Sequence, residues 1–379
     1  MTMRLEWHPF RLRLRSPFEA AHGVLEERSG VLVLLRDDAG AFGIGEASPL
    51  PSFAGGTVAE TVAALASIGQ QVRGLSLEEI WRAEIDCCDV VPGSAAAARC
   101  GFETTVADLL ARREHLPLAA WFSRQSGAGD PAPAPIPVNA VIGGIGPDEA
   151  ARQARAFVAL GYGTLKVKVG MEAEGDEHRL AAVRAAIPRE VSVRVDANGA
   201  WPDAETALAR LERLAAFDVS LCEQPVPPSA GLEPMAEVTR RSSVPVAIDE
   251  ACRSLDDLRA AVESRAAQAF VVKPMVTGLR EALRMLSFGR GEGLTGIVTT
   301  TFDSGVGTAL ATHLAALLPE PRPACGLSTL DAIEDDFTHG LPPVERGAIR
   351  LPDGPGLGVE VDQVKLRKVA TEVTGGVEL

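Results

Sequence analysis

The sequence predicts an α/β protein in which a barrel of parallel strands follows a smaller α+β domain. Two observations lead to this expectation. Beyond about residue 136, short β-type runs alternate with helix-like stretches, whereas before it strand patterns come first and helix patterns follow. In addition, five of the later runs end in a charged residue, at intervals of 28, 27, 26 and 24 residues, which is about the length of a strand, a loop and a helix. These residues are Lys168, Asp196, Glu223, Asp249 and Lys273.

The first domain is expected to combine a small sheet with two helices. Strand patterns lie at residues 12–14, 30–35 and 42–47, with a turn at 37–40. Amphipathic helix patterns lie at 57–73 and 95–113. We expect this domain to span residues 1–124 and to be completed by the tail at 335–379, which contains a last strand pattern. A linker rich in Gly, Ser, Ala and Pro, residues 125–135, follows the domain.

The second domain is expected at residues 136–334. Its eight strand patterns lie at 138–141, 164–169, 191–196, 219–223, 246–249, 269–273, 296–300 and 324–327. Eight such strands favour a closed barrel over an open doubly wound sheet, and no GxGxxG sequence follows the first strand to indicate a dinucleotide site.

Composition excludes several classes of partner. The chain has 379 residues, of which 46% are hydrophobic, enough for a large core, and a formal net charge of −14, which argues against nucleic acid or an anionic membrane surface as a partner. The amino terminus has no apolar signal core, and no run of about 18 apolar residues occurs. The six cysteines have no paired CxxC spacing, as expected for reduced cysteines. We therefore expect a cytoplasmic protein.

The charged residues at the strand ends predict a metal site. In a parallel barrel the carboxyl ends of all strands meet at one mouth, where active sites are built. Asp196, Glu223 and Asp249 would form a hard oxygen-ligand set, which favours Mg²⁺, with Mn²⁺ as an alternative, over zinc. The alternative is that each carboxylate caps the helix that follows its strand.

The lysines are candidates for general bases. Lys166 and Lys168 point to the same face of their strand; alone, such a pair would suggest a solvated face. Beside a metal ion and a second cation, the pKa of a lysine is lowered, which allows it to act as a base near neutral pH. Lys273 would be either the opposing cation or base, or a nucleophile that forms a Schiff base.

Further residues of the strand ends are candidates for supporting roles. Arg194 shares a face with Asp196 and is a candidate partner of that carboxylate. Asn198 would either orient a ligand or cap a turn. Thr300 and Gly326, on the last two predicted strands, are candidates for substrate binding.

The motifs KVK, RVDANGAW, CEQP, AIDEA and VVKP, in this order and spacing, resemble the muconate-lactonising subgroup of the enolase superfamily. The resemblance covers almost the whole chain, including GEASPLPSFAGG upstream and TTTFDSGVG and CGLSTLDAIEDDF downstream. It implies a modified TIM barrel, (β/α)₇β, with an N-terminal α+β capping domain. It also implies that Asp196, Glu223 and Asp249 bind Mg²⁺.

The resemblance assigns roles to the three lysines as well. Lys168 would be the general base on one side of the substrate α-carbon, Lys273 would face it from the other side, and Lys166 would support Lys168. Sites of this superfamily use a Lys or His base with Mg²⁺ that stabilises an ene-diolate, which is a property of the family and not a deduction from this sequence.

Within the subgroup, GEASPLP, VVKP, TTTFDSGVG and CGLSTL followed by EDDF are most similar to the o-succinylbenzoate synthases. These enzymes dehydrate 2-succinyl-6-hydroxy-2,4-cyclohexadiene-1-carboxylate during menaquinone biosynthesis. Two positions depart from the family pattern: Asp303 replaces a common glutamate, and Leu279 replaces a common second glycine.

Three alternatives stay open. Dipeptide epimerases carry an Asp-x-Asp motif on the last strand, where this chain has GLSTLD. N-succinylamino acid racemases use the same lysine pair, both as bases. A catalytically silent, metal-binding barrel would show no exchange of a substrate α-proton.

The expected partner is a small carboxylate substrate, and the resemblance is compatible with a monomer or a homo-oligomer. Loops of the capping domain at residues 16–24 and 49–56 are expected to contribute to specificity. Their candidate substrate contacts are Phe18, His22 and Phe53.

Overall fold

The structure is a computed structural model, and it describes residues 3–20, 23–51, 55–85, 92–127, 129, 131–371 and 374–379. The first elements are β1 (Met3–Ala20), β2 (Gly23–Asp37), β3 (Phe42–Ala47), α1 (Val58–Gln71), α2 (Leu77–Arg82), α3 (Pro92–Arg113) and α4 (Leu118–Ser126).

Strands and helices alternate in the middle of the chain. These elements are β4 (Ile136–Pro137), β5 (Ala140–Ile142), α5 (Pro147–Ala159), β6 (Thr164–Lys168), α6 (Ala173–Ala186), β7 (Ser192–Asp196), α7 (Ala204–Ala215), β8 (Val219–Glu223), α8 (Leu232–Arg241), β9 (Val246–Ile248), α9 (Leu255–Glu263), β10 (Ala269–Val272), α10 (Pro274–Thr277), α11 (Leu279–Gly291), β11 (Thr295–Val298) and α12 (Gly305–Ala315). The tail contains β12 (Thr338–His339), β13 (Ala348–Ile349), β14 (Glu360–Val361), α13 (Gln363–Val369) and β15 (Gly375–Glu378).

A four-stranded antiparallel sheet, in the order β15-β1-β2-β3, packs against α1 and α3. We refer to these strands with α1–α3 as the cap. β3 and α3 approach closely because β3 contains glycines: a Cβ at Gly43 would lie 2.1 Å from the carbonyl oxygen of Thr105. The helix boundaries follow local signals, since Thr57 and Glu60 form a capping box at the start of α1.

The hairpin β1–β2 is longer than the sequence patterns predicted. The pairing runs from Met3 opposite Asp37 to Ala20 opposite Gly23, with an irregularity between Arg13 and Phe18. Residues 16–24, which we expected to form a loop, are therefore the end of a hairpin in their described part. The sequence predicted only residues 12–14 of β1, where Arg alternates with Leu as in a half-buried strand, because this alternation is interrupted after Arg15.

A seven-stranded parallel sheet, in the order β11-β10-β9-β8-β7-β6-β5, forms the wall of the barrel. The segment 324–327, expected to be the eighth strand, makes only isolated parallel bridges, pairing Cys325 with Val138 and Gly326 with Thr299. These bridges connect the two edges of the sheet. The fold is the predicted (β/α)₇β modified TIM barrel with an N-terminal α+β cap, and its last strand is shorter than expected.

Burial along β6 explains how the barrel holds charged residues. Leu165 and Val167 are fully buried, whereas Lys166 and Lys168, on the opposite face, are partly exposed. Because successive side chains of a strand alternate between faces, the apolar face packs under the helices and the lysines point into the barrel.

A buried polar network joins the cap to the barrel beside the mouth, by which we mean the barrel edge at the carboxyl ends of β5–β11. Glu46 of β3 accepts hydrogen bonds from the backbone N–H groups of Ser304 and Gly307, at 3.1 and 2.9 Å, at the amino terminus of α12. Arg28 of β2 donates to the carbonyl oxygens of Thr301 at 3.0 Å and Ser48 at 2.5 Å.

Asp303, the departure noted in the sequence, belongs to the same network. It accepts a hydrogen bond from the Thr301 hydroxyl at 2.7 Å. Burial and the charge of Glu46 raise the pKa of Asp303 to about 7, against the lowering effect of Arg28. The network therefore places two buried carboxyl groups against one guanidinium group where the cap meets the barrel.

A second buried contact fixes the tail. The N–H of Leu357 donates to Asp108 at 2.6 Å, and its carbonyl oxygen lies 3.2 Å from His313 Nε2. His313 Nδ1 accepts from the N–H of Ala119 at 3.1 Å, so Nε2 carries the proton and donates to Leu357. Full burial lowers the pKa of His313 to about 4. His313 is thus a packed residue of the core.

Two further results concern whole-chain properties. Among the described helices, none is long and apolar enough to cross a membrane. Cys100, Cys222, Cys252 and Cys325 are free and buried, while Cys87 and Cys88 lie outside the described residues.

His313 predicts a pH dependence of stability. Its pKa is lowered to about 4 in the native protein, so below the ordinary pKa of about 6.5 the unfolded chain binds a proton that the native protein does not. The free energy of unfolding should therefore fall as the pH drops, by about 2 kcal/mol between pH 7 and pH 4.5 from this residue. Denaturant titration at both pH values measures it.

The variant His313→Asn isolates this contribution, because it removes the titrating group while it keeps an acceptor for the N–H of Ala119. The difference in stability between wild type and variant should shrink by about 2 kcal/mol from pH 7 to pH 4.5. The matched control is His178→Asn at an exposed histidine. A constant difference between wild type and His313→Asn would contradict the assignment.

Candidate active site at the barrel mouth

Strand register brings the predicted charged residues together. Lys168 is the direct neighbour of Asp196, and Asp196 is the direct neighbour of Glu223. Asp249 and Lys273 follow the last residues of β9 and β10. All five residues therefore stand at the carboxyl ends of consecutive strands, as their spacing predicted.

Lys166 and Lys168 share the carboxylates of β7 and β8. Lys166 Nζ lies 3.0 Å from Asp196 Oδ2 and 3.0 Å from Glu223 Oε1. Lys168 Nζ lies 2.7 Å from the same Asp196 oxygen. The lysine side chains are 13% exposed and that of Asp196 only 1%, so these ion pairs are largely removed from water and are not a solvated strand face.

Lys273 forms the matching pair on the other side of the site. Its ammonium group contacts Asp249 Oδ2, and its side chain is 12% exposed. Lys273 is the residue before α10 and is followed by Pro274 at the start of that helix. The lysine faces a carboxylate and two neighbouring acidic charges, an environment that favours an ammonium ion over the neutral amine a Schiff base requires.

The three carboxylates are not helix caps. α7 begins after Asp203, α8 after Gly231 and α9 after Ser254. Asp196, Glu223 and Asp249 precede these positions by several residues and bind lysines instead. The capping alternative is therefore excluded.

The electrostatics of the site differ from one carboxylate to the next. Burial raises the pKa of Asp196, but the charges of Lys166 and Lys168 lower it by more, so it lies well below its usual value. Burial and the charge of Asp196 raise the pKa of Glu223 to about 7, although Lys166 opposes this. Burial raises the pKa of Asp249 as well, against the effect of Lys273. Glu223, at the end of β8, is therefore a carboxylate whose charge the lysines neutralise only in part.

The lysines respond in the opposite direction. Burial lowers the pKa of Lys166, but Asp196, Glu223 and Asp249 raise it by more. The pKa of Lys273 is likewise raised, by Asp249, Glu250 and Glu223 against burial. The lowered pKa expected from the sequence depends on a metal ion beside the lysines.

The donor set suits a divalent cation. Three buried carboxylates, two of them with a raised pKa, offer only oxygen ligands, which is the set that Mg²⁺ prefers. Among the described residues, however, no three Asp, Glu, His or Cys side chains are arranged as a ready ligand cluster. The carboxylates engage the lysines, so an ion would have to replace ammonium groups as their partner.

Asn198 belongs to the site through Lys168. Its Oδ1 accepts a hydrogen bond from Lys168 Nζ at 2.7 Å, and its Nδ2 donates to Glu250 Oε1 at 2.9 Å. The backbone of Asn198 is left-handed, with φ 45°, and its N–H donates to Asp196 Oδ1 at 3.1 Å. The sequence singled out Asn198 but not Glu250, whose position directly after Asp249 was the available signal.

The side chains of Arg194 and Thr300 form hydrogen bonds with the segment 324–329. Arg194 Nη1 donates to the carbonyl oxygen of Ala324 at 2.8 Å, so the structure places its guanidinium against that segment and not in an ion pair with Asp196. Thr300 Oγ1 donates to the carbonyl oxygen of Gly326 at 3.0 Å and lies 2.7 Å from the hydroxyl of Thr329.

Gly326 stands where a side chain has no room. A Cβ at this position would lie 2.8 Å from Thr299 Cγ2, closer than real Cβ contacts. The Gly326 backbone is thus packed directly against the end of β11, and a larger residue would require the strand to move.

The candidate contacts from the cap are only partly described. The ring of Phe18 packs on that of Phe302, with ring centroids 4.8 Å apart, which brings the end of the β1–β2 hairpin to the loop between β11 and α12. His22 and Phe53 lie outside the described residues.

The comparisons with known proteins agree with this arrangement. Residues 149–365 match the family described as "Enolase C-terminal domain-like". Residues 7–121 match the "Mandelate racemase / muconate lactonizing enzyme, N-terminal domain". The family matches cover both the cap and the barrel.

Three relatives illustrate the range of activities. The chain is 38% identical to an o-succinylbenzoate synthase of Thermobifida fusca over 58% of this chain and 70% of the relative. It is 32% identical to an aromatic dipeptide epimerase of Herpetosiphon aurantiacus over 80% of this chain and 83% of the relative. A dipeptide epimerase of Enterococcus faecalis, solved with Mg and the dipeptide L-Leu-L-Tyr, has a TM-score of 0.83 and 25% identity, covering 95% of this chain and 100% of that one.

The raised pKa of Glu223 indicates that this carboxylate lacks positive charge around it, so we predict that bound Mg²⁺ stabilises the protein. An ion that binds only the native protein at 100 times its Kd raises the free energy of unfolding by about 2.7 kcal/mol, which a thermal melt with and without MgCl₂ detects. Glu223→Gln should lose at least half of the Mg²⁺-dependent shift in Tm.

The control is Glu233→Gln, at an exposed residue of α8, which should keep the full shift. An equal Mg²⁺-dependent shift in Glu223→Gln and wild type would contradict a role of this carboxylate in binding the ion.

Proposed function

This chain belongs to the enolase superfamily, in its muconate-lactonising subgroup, and we propose that it is an o-succinylbenzoate synthase. In the proposed reaction it removes the proton α to a carboxylate and then eliminates hydroxide from 2-succinyl-6-hydroxy-2,4-cyclohexadiene-1-carboxylate. The proton and the hydroxide leave as water, and o-succinylbenzoate is the product.

The observation that carries the proposal is the pair of lysines on either side of the three carboxylates. Lys168 contacts Asp196, and Lys273 contacts Asp249, so ammonium groups stand on both flanks of one site. Asp196, Glu223 and Asp249 would hold Mg²⁺, or Mn²⁺ in its place. The bound ion would supply the positive charge that makes a proton α to a carboxylate acidic enough to remove.

The chain's own residues would then perform the proton transfers. Lys168 accepts the α-proton as a neutral amine and, as the resulting ammonium ion, donates a proton to the departing hydroxyl group. Lys273 and Lys166 stabilise the negative charge that develops on the substrate. Because all three side chains are at most 13% exposed, these charges act with little screening by water.

The choice of the synthase over a dipeptide epimerase is supported by the eighth barrel segment. Recognition of a dipeptide requires a carboxylate partner for its ammonium group, and residues 325–328 are Cys, Gly, Leu and Ser. At Gly326 a Cβ would clash with Thr299. The resemblance of this segment to the synthases and the 38% identity to one of them point the same way, although the epimerase match covers more of both chains.

A second candidate is racemisation of N-succinylamino acids. It would use Lys168 and Lys273 as bases on opposite faces of the α-carbon, and both lysines are present and similarly buried. The two reactions share the first proton transfer and diverge only in the second step, which is loss of hydroxide in one and reprotonation of the α-carbon in the other.

Formation of o-succinylbenzoate from its hydroxycyclohexadiene precursor tests the proposal. With Mg²⁺ the wild type should turn over, EDTA should abolish turnover, and Lys168→Ala should lower kcat by about 10³-fold because it removes the base. The control Lys368→Ala, at an exposed lysine of α13, should leave kcat unchanged.

Absence of turnover by folded, Mg²⁺-loaded wild type would overturn the synthase assignment. Exchange of the α-proton of N-succinylamino acids and of dipeptides would then decide between racemase and epimerase. No exchange with any of these substrates would favour a silent barrel.

A further inference from the structure

Glu250 is an acidic residue near the mouth to which the proposed function gives no task. It is 6% exposed, directly follows Asp249, and has one carboxylate oxygen engaged. Its Oε1 accepts from Asn198 Nδ2 at 2.9 Å, while Oε2 is buried and has no hydrogen-bond partner among the described residues. A buried carboxylate with one oxygen that accepts no hydrogen bond lowers the stability of the protein. We therefore expect a functional reason for the presence of Glu250.

The hydrogen bond from Asn198 fixes the orientation of that amide. A carboxylate only accepts hydrogen bonds, so the Asn198 group that faces Glu250 must be the NH₂ group. The amide oxygen is thereby turned toward Lys168, whose Nζ lies 2.7 Å away. As an ammonium ion Lys168 also selects the amide oxygen, because it only donates hydrogen bonds. A neutral amine can accept from the NH₂ group as well, so in that state the contact with Glu250 is what keeps the oxygen turned toward Lys168.

The orientation matters because Lys168 has few groups that direct its nitrogen. Its Nζ donates to two acceptors, Asp196 Oδ2 and Asn198 Oδ1, each at 2.7 Å. A neutral amine has two N–H bonds and one lone pair. If both N–H bonds are held by these acceptors, the lone pair points in the remaining tetrahedral direction, away from both of them.

We infer that Glu250 is a positioning residue that acts through Asn198 to direct the amine of Lys168. This inference rests on the proposed function, in which Lys168 is the base. A base misplaced by about 1 Å can lose about 10²-fold in rate, so the relay can be important although Glu250 does not touch the lysine.

Two other roles for Glu250 have to be separated from this one. Its negative charge also acts on Lys273 and Asp249, so it could serve the opposite flank of the site directly. As a neighbour of Asp249 it could also contribute to binding a cation. Both roles depend on the charge of Glu250 and not on Asn198.

A double-mutant cycle distinguishes these roles. The variants are Glu250→Ala, Glu250→Gln, Asn198→Gly and the double variant Glu250→Ala/Asn198→Gly. Glycine is chosen at position 198 because the backbone there has φ 45°, which glycine adopts without strain. Glutamine at 250 keeps an oxygen acceptor for Asn198 and removes the charge.

If Glu250 acts through Asn198, Glu250→Ala should lower kcat by about 10- to 100-fold with KM changed less than threefold. Glu250→Gln should retain kcat within about threefold. The double variant should be no slower than Asn198→Gly alone, because the effect of residue 250 vanishes when its mediator is absent. The Mg²⁺ Kd, measured by calorimetry, should stay within about threefold in every variant.

Multiplicative effects in the double variant, or a Glu250→Gln variant as slow as Glu250→Ala, would overturn the inference in favour of a charge effect. A tenfold weaker Mg²⁺ affinity in Glu250→Ala would overturn it in favour of a ligand role. The control Glu233→Ala, at an exposed site, should leave kcat unchanged.

Crystal structures of the variants test the relay without any assay. The hydrogen bond between Lys168 and Asn198 should lengthen or be lost in Glu250→Ala, where the amide has lost its second partner, and should be kept in Glu250→Gln. If the wild type fails to form o-succinylbenzoate but the bond behaves as expected, the proposed reaction is wrong and the positioning stands. If the bond is unchanged in Glu250→Ala, the positioning is wrong whatever the reaction.

Discussion

The structure depends on one electrostatic constraint: three carboxylates and three ammonium groups are held together with little access to water. An isolated charge in such a place is strongly destabilising, so each must find a partner of opposite sign. Lys166 contacts both Asp196 and Glu223, Lys168 contacts Asp196, and Lys273 contacts Asp249. The raised pKa of Glu223, about 7, marks the point where this mutual neutralisation is incomplete. Such buried charges would lower the stability of an ordinary core, but the arrangement is suited to bind a cation and an anionic substrate.

The rest of the fold keeps these charges in place and limits the access of water to them. The parallel strands of the barrel fix the spacing between the charged groups, and the cap is joined to the barrel beside the mouth. Glu46 of the cap binds at the amino terminus of α12, and Arg28 binds the backbone on both sides of the boundary. These contacts are buried and charged, so displacement of the cap would leave unpaired charges. The cap is therefore tied to the side of the barrel where the β1–β2 hairpin reaches the mouth.

The sequence predicted those features that depend on local periodicity. The strand ends follow from the spacing of Lys168 to Lys273, and strand register then brings the charges together. Features that depend on contacts between distant segments were not predictable in this way. Glu46 meets Ser304 across 258 positions, and Arg28 meets Thr301 across 273. The full length of the β1–β2 hairpin was not predicted, because the alternation of polar and apolar residues is interrupted after Arg15 although the pairing continues. The reduction of the eighth strand to isolated bridges was not predicted either, because a short Gly-containing segment carries little periodic signal. Arg194 was expected to be a partner of the Asp196 carboxylate, but its guanidinium group donates a hydrogen bond to the carbonyl oxygen of Ala324 instead.

The central claim is that the three carboxylates exchange lysine partners for a divalent cation. The most direct measurement is a crystal structure with Mn²⁺, located by its anomalous scattering. The account predicts one peak at the mouth, about 2.0–2.3 Å from oxygens of Asp196, Glu223 and Asp249, with Lys166 Nζ displaced from its position between Asp196 and Glu223. An anomalous peak at another site and none at the mouth would contradict the account. The same holds if, at saturating Mn²⁺, no peak appears at the mouth and Lys166 still contacts both Asp196 and Glu223.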